Sequence, residues 1–219
     1  MSTEELVAQE QQPGEFVARY DMKPEEAQML CREFLNSPET QAPDGKYGCF
    51  VIGADSNFSN LGRFVESTVF NETFDNTNEL MHEEYSPYDQ TSDFYVVVDQ
   101  EAELPVGVMR IIKDSAAGFK SLDDLEKVKV GFTKEDVYQG YGVNPEKCAD
   151  ITTLAVLSDY RGSKAAYVPS LLMYRTLYLQ ILSNPEFDHG GWVVLRDIRV
   201  IRVCIRTVRW ISFDWFAVL

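Results

Sequence analysis

Asp150–Ala166 reads DITTLAVLSDYRGSKAA. Its first seven residues, Asp150–Val156, are mostly β-branched or apolar, which is the composition of a buried strand. The chain then turns polar through Asp159-Tyr160-Arg161-Gly162-Ser163-Lys164-Ala165-Ala166. Pro169–Leu182 follows as an amphipathic helix, with Leu171, Leu172, Arg175, Leu179 and Leu182 along one side. Proline lacks an N–H and clashes with the preceding turn, so this helix has to start near Val168. A strand that runs through a small, basic loop into a helix start has a chemical use. The first N–H groups of the helix are unpaired, and its dipole adds partial positive charge. Gly162, Ala165 and Ala166 are small enough for a phosphate to approach the backbone, and Arg161 and Lys164 add charge. The same residues also suit an ordinary exposed loop.

Downstream, Gly191–Leu195 (GWVVL) is the next strand. Upstream, Asp93–Gln100 (DFYVVVDQ) and Leu104–Ile112 (LPVGVMRII) flank a short turn and form a hairpin. Between that hairpin and Asp150, Ser115–Pro145 is an insertion with two weak helices, near Leu122–Lys127 and Lys134–Gln139. Tyr47–Ala54 (YGCFVIGA) is the first strand. Ser59 or Asn60 caps a helix over Leu61–Phe74, whose stripe is Leu61, Phe64, Val65, Val69 and Phe70. Asp75–Ser92 reads as a polar loop with one helical turn at most. Residues 1–45 carry ten acids and form an acidic tail with one short helix, Pro24–Asn36, so the domain itself spans 46–219. The element order is β, α, loop, β, β, insertion, β, α, β, α, β. This predicts an α/β fold with a mixed central sheet and helices on its faces.

The C-terminal stretch carries two conflicting signals. Arg196, Arg199, Arg202, Arg206 and Arg209 are spaced 3, 3, 4 and 3, which puts them on one face of a helix. Val200, Val203 and Val208 are β-branched and favour a strand. Spacing predicts a helix here, with Phe213–Val218 as a final strand. The arginine stripe either pairs with the protein's own carboxylates or docks an acidic partner.

Composition excludes several classes. The hydrophobic fraction is 45%, enough for a core, so wholesale disorder is excluded. The formal charge of −15 repels a phosphate backbone, so no nucleic-acid partner is expected. No apolar run is long enough for a membrane span. Met1–Glu15 has no basic start or apolar stretch and does not read as a secretory signal. Cys31, Cys49, Cys148 and Cys204 have no CxxC spacing, and His82 and His189 are the only histidines. That set does not build a metal site, and it suits reduced thiols in a cytoplasmic protein.

The element order, the hairpin with Val106-Gly107, and ITTLAVLSDYRGSKAA together resemble the GNAT-type N-acyltransferase fold, over about Tyr47 to Leu219. The resemblance implies that the Asp150–Val156 strand splays from its neighbour. Leu154, Ala155 and Val156 would then meet the pantetheine arm of an acyl thioester. Arg161, Gly162, Ser163, Lys164, Ala165 and Ala166 would hold its pyrophosphate. Lys164 stands where the family prefers glycine. The family fold also ends in a strand pair, so a chain that stops after the first would leave that pair incomplete, unless a partner strand, as in a homodimer, completes the sheet.

A narrower resemblance is to the acyl-homoserine-lactone synthases, which acylate the amine of S-adenosylmethionine from acyl carrier protein. It rests on Val69-Phe70, Tyr88-Asp89, Gly107-Val108-Met109-Arg110 and Asp150–Val156. Thr153 and Glu66 stand where that branch has arginines, and Ser86 where it has an aspartate. These departures imply a related acyltransferase with another small-molecule amine as acceptor. The donor expected is acyl-CoA or acyl carrier protein, with no metal. An N-acyl amino acid synthase and a non-catalytic acyl-ligand or partner-binding domain are the other readings.

Attack on a thioester requires the amine to lose a proton. Asp150 is the first candidate base, directly or through a water, and Asp89 the second, with the alternative of holding the substrate ammonium. Both also read as plain strand-end or turn carboxylates. Backbone N–H groups of Leu154–Val156 could polarise the thioester carbonyl. Arg110 either anchors a substrate carboxylate or pairs with Asp114 or another acid. Tyr174 and Tyr178 fit helix packing at least as well as catalysis.

Overall fold

The computed structural model describes residues 17–38, 40–127, 131, 133–141, 144–162, 168–183, 192–196 and 200–204. The strands are β1 (Tyr47–Gly53), β2 (Ser92–Asp99), β3 (Leu104–Lys113), β4 (Ala149–Val156), β5 (Trp192–Arg196) and β6 (Val200–Cys204). They lie side by side in chain order. β1 to β4 form an antiparallel meander, β4 and β5 are parallel, and β5 and β6 are antiparallel. The helices are α1 (Pro24–Asn36), α2 (Asn60–Phe74), α3 (Asn78–Tyr85), α4 (Lys120–Lys127), α5 (Lys134–Tyr141) and α6 (Val168–Ser183). The chain is therefore mixed α/β with helices on both faces of the sheet.

Alternation along β2 and β3 sorts the core into two faces. Phe94, Val96, Val98 and Val108 pack with Ala27, Cys31 and Phe34 of α1 and Leu61, Phe64, Val65 and Val69 of α2. Tyr95, Val97, Met109 and Ile111 pack with Met173 and Leu177 of α6 on the other face. Local chemistry sets the ends. Pro24 occupies the first turn of α1, and Lys23 N–H donates to the Glu26 carboxylate at 2.9 Å. At the β2–β3 turn, Asp99 accepts the N–H groups of Glu101 and Ala102, each at 3.2 Å. Gly62 lets α2 approach β2, because a Cβ there would lie 2.6 Å from the Phe94 ring.

Three expectations are corrected. Asp75–Ser92 is mostly helical: α3 is followed by a 3-10 segment, Ser86–Thr91. Thr77 starts α3 by accepting the Leu80 N–H at 3.2 Å. The helix expected across the C-terminal arginines is instead strand β6 over Val200–Cys204, paired in register with β5. Cross-strand hydrogen bonding and β-branching outweigh the arginine period there. β5 and β6 form an antiparallel pair, whereas the terminal pair expected to be incomplete begins at Phe213–Val218, outside the described residues. The face of α6 that packs inward carries Met173 and Leu177, whereas Leu171 and Leu179 are exposed. That helix is apolar on nearly all sides, so the sequence period could not tell its inner face from its outer one. Arg199, Arg206, Arg209 and the expected strand Phe213–Val218 lie outside the described residues. No described helix is long and apolar enough to cross a membrane.

Candidate functional site

The centre of interest is β4, because its two edges differ. Toward β3 it pairs from Lys113↔Ala149 to Gly107↔Val156 with one interruption. Toward β5 it pairs only at Ala149↔Trp192 and Asp150↔Val193. From Ile151 to Val156 the β5 side of the strand has no paired partner among the described residues.

The β3–β4 register also breaks once. Arg110 lies opposite Thr153 and Ile111 opposite Ile151, so Thr152 is one residue too many. An extra residue of this kind is a β-bulge, and it resets which side chains share a face. Ile151 packs on the α6 side. Asp150 and Thr152, its neighbours, therefore face the α2 side, and the bulge keeps Thr153 on that side too. Thr153 confirms this by donating to Glu66 of α2 at 2.5 Å.

Thr153 joins a buried network of charge. Arg63, Glu66 and Arg110 are 0% exposed and Asp89 is 5% exposed. Arg110 donates to Glu66 at 3.0 Å, to Asp89 at 2.5 Å, to the Tyr20 hydroxyl at 3.0 Å and to Ser92 at 2.9 Å. Arg63 donates twice to Asp89, at 3.0 and 2.9 Å, and to Ser59 at 2.6 Å. Tyr20 donates to Asp89 at 3.0 Å. The Thr153 hydroxyl has one proton, and Glu66 takes it, so Tyr85 must be the donor in the 3.3 Å Tyr85–Thr153 contact. The Phe94 ring lies against both guanidiniums, at 4.6 Å from Arg63 and 4.8 Å from Arg110. Two cations and two anions thus neutralise one another in a buried site. Burial alone pulls the Arg110 pKa down, but Glu66, Tyr20 and Asp89 outweigh it and the net direction is up. Burial pushes the Tyr20 and Tyr85 phenols up, so both stay neutral.

Asp150 is also 0% exposed, but it is not part of this network. Its Oδ2 accepts the Ser121 N–H at 2.8 Å, at the start of α4. Its Oδ1 has no hydrogen-bond partner among the described residues, and neither has the buried Thr152 Oγ1. Burial pushes the Asp150 carboxyl up to about 6, against the opposing pull of Ser121.

The site residues expected from sequence fall into three groups. Asp89 and Arg110 come together, bound to each other and to Arg63, Glu66 and Tyr20. Arg110 does not reach Asp114, and a substrate carboxylate would have to displace Glu66 or Asp89 from it. Asp150 lies apart from them, at the point where β4 and β5 part. Leu154, Ala155 and Val156 line the strand beyond that point, with Leu154 exposed. Arg161 is exposed, and its Nε donates to the Val156 carbonyl at 2.5 Å. Gly162 has φ +70°, a left-handed conformation that suits glycine. Ser163, Lys164, Ala165 and Ala166 lie outside the described residues. Among the described residues no cluster of three or more side chains could hold a metal ion.

Sequence reasoning passed over Arg63, Tyr20 and Tyr85, and named Glu66 and Thr153 only as departures from a pattern. One signal was present. Arg63 and Glu66 are one turn apart inside the apolar run of α2, and charges so placed need partners of opposite sign. No family model matches the chain, and no curated protein matches it significantly.

Proposed function

We propose that this chain is an acyltransferase that moves an acyl group from a CoA or acyl-carrier thioester to a primary amine. The observation that carries the reading is the half-paired β4: its β5 side has no strand partner after Asp150 among the described residues, while its β3 side is paired at every residue but Thr152. An unpaired strand edge offers N–H and C=O groups that match the amides of a pantetheine arm. Beyond that edge stand Arg161, Gly162 and the start of α6, a helix of 16 residues, and a helix N-terminus favours phosphate. Backbone N–H groups of Leu154–Val156 are the candidates for stabilising the oxyanion of the tetrahedral intermediate. Asp150 is the candidate base. A carboxyl raised to about 6 is well matched to proton transfer near neutral pH.

The acceptor is a small amine. Asp89 is already surrounded by Arg63, Arg110 and Tyr20, so an ammonium at that carboxylate would compete with three donors from the protein. This favours Asp150 over Asp89 as the group that meets the amine.

Thiol release from acyl-CoA and acyl-carrier thioesters, read with a thiol-reactive dye over a panel of amines, tests the proposal. Release that depends on an amine, and that falls by about 10²–10⁴-fold in Asp150→Asn, is the expected result. One observation favours a second reading: both candidate carboxylates are enclosed. A domain that binds acyl thioester without turning it over would show CoA binding by calorimetry and no thiol release.

A further inference from the structure

Asp150 Oδ1 and Thr152 Oγ1 are the only buried side-chain oxygen or nitrogen atoms without a hydrogen-bond partner among the described residues. They are two residues apart on one strand and face the same side of it. Native proteins leave few such atoms unpaired, and two of them on one face of one strand mark a place for an ordered water. Asp150 is fully buried and Thr152 half-buried, so the pair runs from the closed end of the β4–β5 junction outward along the free edge.

We propose that Asp150 Oδ1 and Thr152 Oγ1 hold one water between them, and that this water relays the proton of the acceptor amine to Asp150. The inference rests on the acyl-transfer reading for its direction of use, but not for the water itself. In the relay the substrate ammonium gives one proton to the water, and the water gives one to the Asp150 carboxylate. The nitrogen lone pair so released forms the bond to the thioester carbonyl carbon. The C–S bond breaks, and the departing thiolate takes a second proton from nitrogen. Asp150 later returns its proton to solvent. Thr152 never bonds to the reacting atoms, so it is a positioning residue.

The groups around Asp150 set what a titration would read. Ser121 donates to it, Lys120 and Asp124 of α4 act on it with opposite signs, and Tyr88 lies near it in the 3-10 segment. Ile112 is opposite on β3 and Val193 on β5. None of these is changed by removing the Thr152 hydroxyl.

The experiment is a ¹³C titration of the Asp150 carboxyl in the full chain, in wild type, Thr152→Val and Thr152→Ser. A water that donates to Oδ1 favours the carboxylate. Thr152→Val, which removes the hydroxyl and keeps the shape, should therefore raise the Asp150 midpoint, and Thr152→Ser should leave it near wild type. With an amine and thioester that turn over, the rate at neutral pH should fall about tenfold in Thr152→Val and recover in Thr152→Ser. The acid limb of the rate profile should move in step with the titration. An Asp150 midpoint that is the same in all three proteins overturns the shared water. Should Thr152→Val fail to fold, Thr152→Ala serves as the second hydroxyl-free variant. If wild type turns over no thioester, the acyl-transfer reading fails, while the titration still decides whether the water is there.

Discussion

The Arg63–Glu66–Asp89–Arg110 cluster and the Asp150–Thr152 pair lie on the same side of the sheet, and both are buried, yet they are finished in opposite ways. In the cluster each acid faces an arginine, and the hydroxyls of Tyr20, Ser59, Ser92 and Thr153 complete the set. On β4, one carboxylate oxygen and one hydroxyl have no such partner among the described residues. Burial of charge thus divides between structure and chemistry. A saturated network gains little from a ligand and loses much when one member is removed. An unsaturated pair costs stability while it is empty of a partner and is open to one.

The largest expected effect is in the cluster. Arg110→Met should lower stability to urea by roughly 3–5 kcal/mol, because it leaves Glu66 and Asp89 buried without a cation between them. Adding Glu66→Gln should restore part of that loss, since one of the stranded charges is then gone. If the two single effects simply add, the four groups do not act as one network.

Next comes Asp150, where the sign is reversed. Its folded pKa is raised from the ordinary 3.8 to about 6. The folded state therefore holds the proton more tightly, and this contribution is complete below about pH 4 and lost as pH rises through about 6. Asp150→Asn removes the titration and still offers an oxygen to the Ser121 N–H. Above pH 7 the variant should be more stable than wild type, by about 3 kcal/mol at most. Below pH 4 the advantage should vanish. Urea midpoints across pH 3–8 check this, and parallel curves for the two proteins would mean that Asp150 is not strained by burial. The same substitution is expected to lower turnover, so stability and activity should move in opposite directions.

Gly62→Ala tests the wall shared by the two guanidiniums. The added Cβ would press on the Phe94 ring at 2.6 Å and should cost about 1–3 kcal/mol in thermal or urea unfolding. A neutral result would show that Phe94 can shift without disturbing Arg63 and Arg110. The smallest effect belongs to Tyr20→Phe. Tyr20 donates to Asp89 and accepts from Arg110, but each of those groups keeps other partners, so a loss of about 1 kcal/mol is expected. A loss as large as that of Arg110→Met would make the Tyr20 hydroxyl an equal member of the network rather than its outer edge.

Much of the fold was legible along the chain. The four strands of the meander, the long helix α2 between its first two strands, and the start of α6 at Val168 follow from apolar alternation, helical spacing and the limits that proline sets. The stretch Asp75–Ser92 was not legible, because Asn, Glu and Tyr suit loops and short helices alike until Thr77 caps the turn. The arginine spacing at the C-terminus pointed to a helix, and a neighbouring strand made it β6.

The candidate site divides along the same line. Which residue types are present, which of them lie on β4, and the small residue at Gly162 are local properties, and sequence alone determined them. Tertiary structure decided the rest. Thr152 is a bulge only because Arg110 and Ile111, some 40 residues earlier, fix the β3 register on either side of it. Glu66 and Asp89 are partners of Arg110 only because α2 and the 3-10 segment are packed over β3 and β4. No spacing in the chain encodes those distances: a buried charge is given its partners by the packing of separate elements.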